Sequence, residues 1–529
     1  MRYDAIIIGA GASGLTAAAY LAREGNSTML LEKQPRCGGL IGTFTRDGFT
    51  FDGGVRAFDN AGVLFPMLKQ LGLNIEFVKN QVSLGIEDQV IEIESDANLD
   101  DYQVLLNRLY PESIDEIALL VEDIHKIMRY MDIQYGINNP LFLDVKEDRD
   151  YFLKAVVPWM FKYALTAPKV SALNQPVIPY LKKFTNNKAL IDIISQHFFT
   201  DTPAYFALSY FKLYQDYFYP KGGTGVLIDK LTEFIQAHGG EIRTSMGVTA
   251  IDLETRTVRT STGDTFDYQQ LLWTADQKML YQIVDLDALA DSATRVAVTE
   301  RRALLSDKAG NDSVLTLFLG SNLDPGYFKA ISNAHFFYTP SRLGQSLAGS
   351  PPIDGSWEQI DQWLKKFYAY TTYEISIPAL RDPSLVPTGK TGLIISTLFD
   401  YRLTEHIYEN GWEDRFQNAV GNLMIENLER TVYPGLAESV LQRSTSTPIT
   451  LQRLTGSTDG AITGWAFTNQ PMPAESRLVK IANSVKTPLP NVTQAGQWTY
   501  SPSGLPVSFI TGKVAADSIH KRLKRAKRT

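Results

Sequence analysis

The chain of 529 residues has few of the residues that build disulfides and metal sites. It contains one cysteine, Cys37, and six histidines scattered at positions 125, 197, 238, 335, 406 and 520. A single cysteine excludes an internal disulfide and fits a reducing compartment. The scattered histidines show none of the short ligand spacings of a zinc site. We therefore expect no bound metal.

Several targeting and binding signals are also missing. No run of 18 apolar residues occurs, so a transmembrane helix is not expected. The first residues do not read as a signal peptide, because Asp4 interrupts a short apolar run that leads directly into glycines. The formal net charge of −7 predicts no nucleic-acid partner. These features predict a cytoplasmic protein, and the sequence carries no signal for its oligomeric state.

The composition otherwise suits a soluble globular protein of two or more domains, with 44% hydrophobic and 21% charged residues. The last segment differs, because "HKRLKRAKRT" at 520–529 has six Lys or Arg among its final nine residues. We expect this basic tail to be a solvated, disordered end. The alternative is attachment to an anionic membrane at the inner face, worth about 1 kcal/mol per basic residue.

The stretch "DAIIIGAGASGL" predicts a phosphate-binding turn near the start of the chain. Its apolar run is typical of a buried parallel strand. Gly9 permits the tight turn, Gly11 allows the backbone to approach a pyrophosphate, and Gly14 allows the following helix to pack on the strand. The helix N-terminus would direct free N–H groups at the phosphates.

The next segment separates FAD from NAD. A second strand ends at Glu32, an acid that accepts hydrogen bonds from ribose hydroxyls and repels a 2′-phosphate. Arg36, Gly38 and Gly39 then form R-x-G-G, which resembles the loop of two-dinucleotide-binding-domain flavoproteins that folds back over the cofactor. "FTFDGG", from Phe49, resembles the strand and turn that lead toward the isoalloxazine ring. The sequence therefore predicts bound FAD.

Two later segments resemble a narrower group of flavoproteins. "YFYPKGGTGVL", from residue 217, carries a Y-P-x-G-G-x-x-x-L pattern, and "AGQWTYSPSGLP", from residue 495, carries A-G followed by P-x-G-x-P. Both are similar to the carotenoid desaturase, carotenoid isomerase and retinol saturase-like flavoproteins of the amine-oxidase superfamily. Many of these have an acid where this chain has Gln497, and Thr274 stands where they have Asn.

The glycine pattern and the resemblance together imply a set of FAD contacts. In this set Val248 meets the adenine through its backbone, and the helix after Gly504 stabilises reduced flavin. The predicted cofactor-binding residues are Gly9, Gly11, Ala12, Ser13, Gly14, Glu32, Lys33, Arg36, Gly38, Gly39, Leu40, Gly54, Val55, Arg56, Val248, Gly496, Gln497, Gly504, Leu505 and Pro506.

The implied fold class is α/β, with an α+β substrate part. We expect a discontinuous, Rossmann-like FAD-binding domain of the two-dinucleotide-binding-domain type, into which a substrate domain is inserted. The predicted FAD segments are 1–75, 218–285 and 486–529. The predicted substrate domain is 76–217 and 286–485, with a possible membrane-facing helical part near 150–200.

One predicted helix in that part, "YFLKAVVPWMFKYAL" at 151–165, has an apolar stripe. The stripe consists of Phe152, Ala155, Val156, Trp159 and Tyr163. Pro158 should kink or divide the helix. The stripe suits either burial against the domain core or an apolar lid that enters a bilayer with Trp159 at the interface.

The resemblance implies an FAD-dependent oxidoreductase acting on carbon–carbon bonds of an apolar substrate, a carotenoid, retinoid or other polyene lipid. Desaturation, saturation and redox-neutral isomerisation would use the same site. Candidate tunnel walls are Trp465, Phe467, Trp498 and Tyr500, and the candidate catalytic residues are Arg56, Trp498 and Tyr500. The alternatives are a flavin amine oxidase and a non-catalytic lipid-escort protein of the same fold.

Overall fold

A computed structural model describes residues 2–144 and 146–528 of the chain. Its strands form two large sheets and two small ones. The strands are β1 Arg2–Ile8, β2 Thr28–Leu31, β3 Thr43–Arg46, β4 Phe49–Asp52, β5 Phe58–Asp59, β6 Phe77–Lys79, β7 Val82–Ile86, β8 Gln89–Ile93, β9 Tyr217–Pro220, β10 Glu241–Arg243, β11 Val248–Asp252, β12 Thr257–Thr260, β13 Thr265–Trp273, β14 Ser313–Ser321, β15 His335–Thr339, β16 Tyr373–Ser376, β17 Thr391–Phe399, β18 Val440–Ser446 and β19 Val492–Gln494.

The helices cover both large sheets. They are α1 Ala12–Arg23, α2 Leu64–Leu71, α3 Asn98–Leu109, α4 Ile114–Tyr135, α5 Arg149–Tyr151, α6 Val157–Ser171, α7 Val177–Leu181, α8 Lys188–Ser195, α9 Ala204–Leu208, α10 Tyr210–Tyr214, α11 Gly225–Ala237, α12 Gln277–Gln282, α13 Ser292–Ser306, α14 Pro325–Lys329, α15 Trp357–Tyr370, α16 Tyr401–Glu409, α17 Glu413–Thr431, α18 Leu436–Ser439, α19 Pro448–Thr455, α20 Ile481–Ser484 and α21 Leu505–Ala526. A π-helical turn, Phe152–Val156, joins α5 to α6.

The first sheet has seven strands in the order β10-β2-β1-β13-β12-β11, with β19 also paired to β13. Pairing is parallel among β10, β2, β1, β13 and β19, and antiparallel in the β11–β12–β13 part. Strand β1 is buried on both faces, as its apolar run predicts: Ile7 packs with the helix cluster of α1, α11 and α21, and Ile6 packs on the opposite side.

Later segments of the chain also pack on the face of the first sheet that carries Ile6. Val298 and Leu305 of α13 belong to its hydrophobic cluster. Helix α13, which follows the predicted boundary at residue 285, therefore packs against the first sheet.

The basic tail is not a disordered end. Helix α21 continues to Ala526, and Ile519 and Leu523 are buried against the cluster that contains α1. Lys527 forms an ion pair with Asp4, at 3.1 Å. The expectation of disorder was wrong because two apolar residues four positions apart anchor the charged segment as one face of a helix. Thr529 lies outside the described residues.

The second sheet has seven strands in the order β18-β14-β17-β16-β15-β7-β8. All neighbours are antiparallel except β15 and β7. Alternate residues such as Leu317, Ile375 and Ile395 pack in one cluster with α15, α16 and α17. The other set of alternate residues faces away from these helices, because successive side chains of a strand point to opposite faces.

A helical layer lies over the β7–β8 end of the second sheet. Helices α3, α4 and α7 to α10 share one hydrophobic cluster with Val82 and Ile93. No helix in the two described ranges is both long and apolar enough to cross a bilayer.

Helix α6 and the π-helical turn before it place the predicted apolar stripe inward, which is the burial alternative. Val156 is buried, and Trp159 is half-buried with its indole N–H donating to the carbonyl oxygen of Ile133. A different set of apolar side chains is exposed, with Phe161 at 70% and Leu165 at 75%. The alternative with Trp159 at a bilayer interface does not fit this position, because the hydrogen bond turns the indole toward α4.

Candidate flavin site and the cavity beside it

The glycine turn after β1 forms a close-packed cradle at the start of α1. A Cβ added at Gly14 would overlap the carbonyl oxygen of Gly9, so the helix approaches the strand as closely as a glycine allows. Gly38 adopts a φ of +123°, and its N–H donates to the carbonyl oxygen of Ala10 at 2.8 Å. An isolated bridge also pairs Gly11 with Gly38. The R-x-G-G loop therefore folds back onto the first turn, as the sequence predicted.

The space in front of this turn suits a dinucleotide phosphate. A Cβ at Gly11 would meet no described atom within 4 Å, so this backbone faces open space. Within the described ranges no side chain caps α1, and its first turn has no acid. The buried Oγ of Ser13 finds no hydrogen-bond partner among the described residues. Free N–H groups and an unpartnered hydroxyl at a helix N-terminus are what a pyrophosphate requires.

The end of β2 carries the acid expected at the ribose. Glu32 is buried, and its carboxylate accepts hydrogen bonds from the N–H groups of Ala10 and Gln34, each at 2.8 Å. The N–H of Met246 donates to the carbonyl oxygen of Glu32 at 2.8 Å. This contact brings the segment before Val248 to the acid.

The C-terminal segment closes the cradle. Gly496 has a φ of +101°, and a Cβ there would lie 3.5 Å from Cβ of Ser13. The N–H of Gly496 donates to Oγ1 of Thr511 at 3.0 Å. Three distant parts of the chain thus meet at the start of α1.

The other predicted contacts differ in exposure. The N–H of Val55 donates to the carbonyl oxygen of Leu40 at 2.9 Å, which holds the turn after β4 against the R-x-G-G loop. Half-buried positions are Ala12, Leu40, Gly54, Val55, Val248, Gln497, Gly504, Leu505 and Pro506, and exposed positions are Lys33, Arg36 and Gly39. Partial exposure suits residues that border a cofactor cleft.

Arg56, predicted to orient substrate or stabilise charge, is buried where the flavin segment meets the second sheet. Its guanidinium donates to the carbonyl oxygen of Asp52 at 2.7 Å and to Oγ of Ser396 at 3.1 Å. The Asp52 carboxylate in turn accepts from the Tyr219 hydroxyl and from Thr224, at 2.9 Å each. The Y-P-x-G-G segment is therefore tied to the strand that precedes Arg56.

A chain of hydrogen bonds continues from Arg56. The sequence did not predict it. Arg381 donates to the carbonyl oxygen of Arg56 at 2.9 Å and to Oδ1 of Asn80 at 3.1 Å. The Asn80 amide nitrogen is then left to donate to Nδ1 of His335, at 3.1 Å. His335 must therefore carry its proton on Nε2, which donates to Oε1 of Glu374 at 3.0 Å.

Glu374 ends this chain as an anion. Burial alone would raise its pKa, but the hydrogen bond from His335 and the charges of Arg56 and Arg381 outweigh burial and hold the pKa below its usual range. Its side chain keeps 33% of its accessible surface although β16 is an interior strand. The carboxylate must therefore face an internal space on the side of the sheet opposite α15 to α17.

The residues in register with Glu374 define that face of the sheet. A row runs across five strands through Leu84, Phe337, Glu374, Ser396 and Thr316. The row is apolar at the β7 end and polar where Arg56 meets the sheet. One local signal of this row is present in the sequence, a single acid within the apolar segment "YEISI", but strand register could not be obtained from that segment alone.

An aromatic cavity adjoins the apolar end of this row. It lies between the helical layer and strands β7 and β15, and Ile193, Tyr210 and Phe337 are among its walls. The ring of Tyr214 lies 5.0 Å from Phe337 and 5.8 Å from Tyr217. Aromatic and aliphatic walls with a few polar groups are typical of sites for apolar ligands.

A second carboxylate, Asp59, approaches the same aromatic group from β5. It pairs directly with Tyr217 of β9, and the Tyr217 ring lies 5.7 Å from His335. Oδ1 of Asp59 is buried and finds no hydrogen-bond partner in the described ranges. Burial, followed by the charge of Asp216, raises the pKa of Asp59 to about 7. The pKa values of the two acids are thus shifted in opposite directions.

The predicted tunnel aromatics lie in different places. Trp498 is 3% exposed and packs at 4.8 Å against Trp465 in the cluster beneath the first sheet. This packing argues against the predicted catalytic role of Trp498 and against Trp465 as a tunnel wall, because neither ring faces open space. Phe467 is half-buried. Tyr500 is buried, and its hydroxyl donates to the carbonyl oxygen of Ser476 at 3.1 Å.

Comparisons with known proteins also indicate a flavoprotein. The family model described as flavin containing amine oxidoreductase matches residues 12–297. The chloroplastic prolycopene isomerase of Arabidopsis thaliana is 24% identical over 469 residues, which span 85% of this chain and 72% of the isomerase. The 1-hydroxycarotenoid 3,4-desaturase of Flavobacterium sp. (strain P99-3) is 23% identical over 536 residues, 97% and 98% of the two chains.

Solved structures confirm the predicted fold class. The crystal structure of an oxidoreductase from Methanosarcina mazei aligns with a TM-score of 0.61 at 14% identity, over 98% of this chain and 100% of that one. The family match confirms the predicted FAD cofactor and the predicted enzyme class. The chain belongs to the flavin-containing amine oxidoreductase family and is an FAD-dependent oxidoreductase.

Proposed function

We propose that this protein acts on carbon–carbon bonds of a polyene lipid such as a carotenoid or retinoid, by desaturation, saturation or isomerisation. The observation that carries the proposal is the aromatic cavity between the helical layer and the second sheet, whose wall residue Phe337 pairs directly with Glu374. The carotenoid isomerase and desaturase relatives cover most of the chain and support the same substrate class.

The unit proposed to hold FAD comprises 1–75, 218–285 and 486–529, together with α13. Gly11, Ser13, Glu32 and Gly496 would contact the cofactor. When bound, FAD supplies hydride acceptance or donation at its ring. The chain itself would bind the polyene by apolar area, at about 25 cal/mol per Å² buried, and would exclude water from it.

Glu374 has a defined electrostatic role in this proposal. Loss of a hydride leaves positive charge on the polyene, and a carboxylate fixed by His335 stabilises positive charge without reorganising. The Arg56 and Arg381 charges keep Glu374 ionised for that purpose.

The test is anaerobic incubation of the FAD-loaded protein with prolycopene, a diapophytoene, retinol and simple amines. We expect a polyene product, with flavin bleaching and a mass change of two hydrogens for redox chemistry, or neither for isomerisation. Turnover of amines with peroxide release, and no polyene product, would overturn the proposal.

A flavin amine oxidase is the second candidate, and one observation favours it. An anionic Glu374 near the rings of Tyr214 and Tyr217 also suits an ammonium group, which carboxylates and aromatic faces attract. The amine arm of the same experiment decides between the two.

We also propose peripheral membrane contact through α6. Its outer face exposes Met160, Phe161 and Leu165, with Lys162 beside them. Its inner face carries Tyr163, which lies near Tyr135 and Tyr205. A lipid substrate would thus pass from the bilayer to the cavity across one helix.

Vesicle co-sedimentation tests the membrane contact. The double variant Phe161→Glu, Leu165→Glu should bind phosphatidylcholine–phosphatidylglycerol vesicles at least about tenfold more weakly, because each buried apolar side chain contributes about 1.5–3 kcal/mol. The control Leu119→Glu changes an exposed leucine on α4 and should bind as the wild type does. Equal binding by all three proteins would refute the contact.

A further inference from the structure

Desaturation and saturation both need a group that exchanges a proton with carbon, and Asp59 has the surroundings for it. Its pairing partner Tyr217 is directly opposite on β9, so the two side chains project from the same face of the small sheet. Tyr135 of α4 and Tyr210 of α10 lie near the Asp59 carboxyl. Three tyrosines thus lie near the carboxyl, and the Tyr217 ring lies 5.7 Å from His335.

The chain leading to Asp59 comes directly from the cofactor segment. Asp59 follows Arg56 by three positions, and Arg56 follows the turn that holds Gly54 against Leu40. A short connection of this kind keeps Asp59 within about 18 Å of Gly54, since each residue spans at most about 3.6 Å.

A neighbouring carboxylate explains why Asp59 is the one that carries a proton. Burial raises the pKa of Asp216 as well, but three contacts act in the opposite direction: Oδ2 accepts a hydrogen bond from the N–H of Ala61 at 3.1 Å, and Lys79 and Lys212 favour the ionised form. Asp59 has no such donor on Oδ1 in the part of the chain that the structure describes. When ionisation of two neighbouring carboxyl groups is unfavourable, one stays ionised and the other holds its proton.

We propose that Asp59 exchanges a proton with the bound polyene, a role that rests on the proposed function. In desaturation, one C–H bond would break as a hydride taken by the cofactor. The adjacent C–H bond would lose its proton to the Asp59 carboxylate, and its electron pair forms the new double bond. In isomerisation, the Asp59 carboxyl proton adds to a polyene carbon, the bond beside the resulting cation rotates, and the same proton returns to the carboxylate without net redox change.

The first experiment needs no substrate. Infrared difference titration of the FAD-loaded full chain should show a protonated carboxyl that ionises near neutral pH. Asp59→Asn should remove this signal. Asp216→Asn should keep it and move its midpoint to lower pH, because a negative neighbour has been removed. A signal that persists in Asp59→Asn would overturn the proposal.

The second experiment uses turnover of vesicle-carried prolycopene. Asp59→Asn should slow conversion at least about 100-fold and abolish the pH limb near neutrality, while Asp216→Asn shifts that limb to lower pH. Wild-type rates in Asp59→Asn, or an unchanged limb, would overturn the proposal. If the wild type converts no polyene, the proposed function fails. The infrared titration then tests separately whether Asp59 holds a proton near neutral pH, and a missing carboxyl signal would overturn that role as well.

Discussion

Replacing Asp59 by asparagine should change how the stability of the protein depends on pH. Burial and the charge of Asp216 raise the pKa of Asp59 from 3.8 to about 7 in the folded protein. The folded state therefore holds this proton more tightly than the unfolded chain does. Its stability falls as pH rises from about 4 to about 7, and the penalty is constant above that range.

The magnitude follows from the width of that range. Each pH unit contributes about 1.4 kcal/mol, so three units give a penalty of about 4 kcal/mol at pH 8. With an unfolding entropy of about 2.1 cal/mol/K per residue, a chain of 529 residues converts this penalty into about 4 °C of melting temperature. Asparagine has nearly the same shape as aspartic acid but carries no charge. The stability of Asp59→Asn should therefore not fall over this pH range for this reason.

Scanning calorimetry of the FAD-loaded proteins between pH 4 and pH 8 measures the effect. The melting temperature of Asp59→Asn, relative to wild type, should rise by about 4 °C over that range. Asp354→Asn alters an exposed carboxylate and should follow the wild type. Parallel curves for wild type and Asp59→Asn would refute the reasoning about this buried acid.

Three further outcomes are expected. Gly11→Ala should leave the melting temperature of the apoprotein unchanged, because its Cβ enters open space, and should weaken FAD binding about tenfold or more in calorimetric titration. Gly14→Ala should lower both the melting temperature and the FAD affinity, because its Cβ overlaps backbone atoms. Burial raises the pKa of Cys37 to about 11, so iodoacetamide at pH 8 should label the folded protein far more slowly than the unfolded chain; equal rates would contradict this. Glu374→Gln should slow polyene conversion about 100-fold without changing FAD affinity, and a matched loss of FAD affinity would assign Glu374 to folding instead.

The cofactor cradle could be predicted from the sequence because its chemistry is local. The spacing of Gly9, Gly11 and Gly14 determines a turn, and Glu32 follows at the end of the next strand. The segment around Gly496 required the family resemblance, since its contact with Ser13 joins opposite ends of the chain.

The substrate side could not be predicted in the same way. Glu374 acquires its role from strand register and from the chain Arg381–Asn80–His335, whose members are far apart in sequence. The catalytic role of Trp498 stays a prediction, because an aromatic residue near a motif is as suited to packing as to binding. Local patterns fix which residue types are available, and tertiary pairing decides which of them face a cavity.

The convergence at the start of α1 has a consequence for truncated chains. The wall formed by Gly496 and α21 comes from a segment far along the chain from Gly11, and in the described ranges β19 pairs with β13 of the first sheet. A chain cut before this segment lacks one wall of the cradle. It should therefore emerge colourless even though its glycine turn is intact.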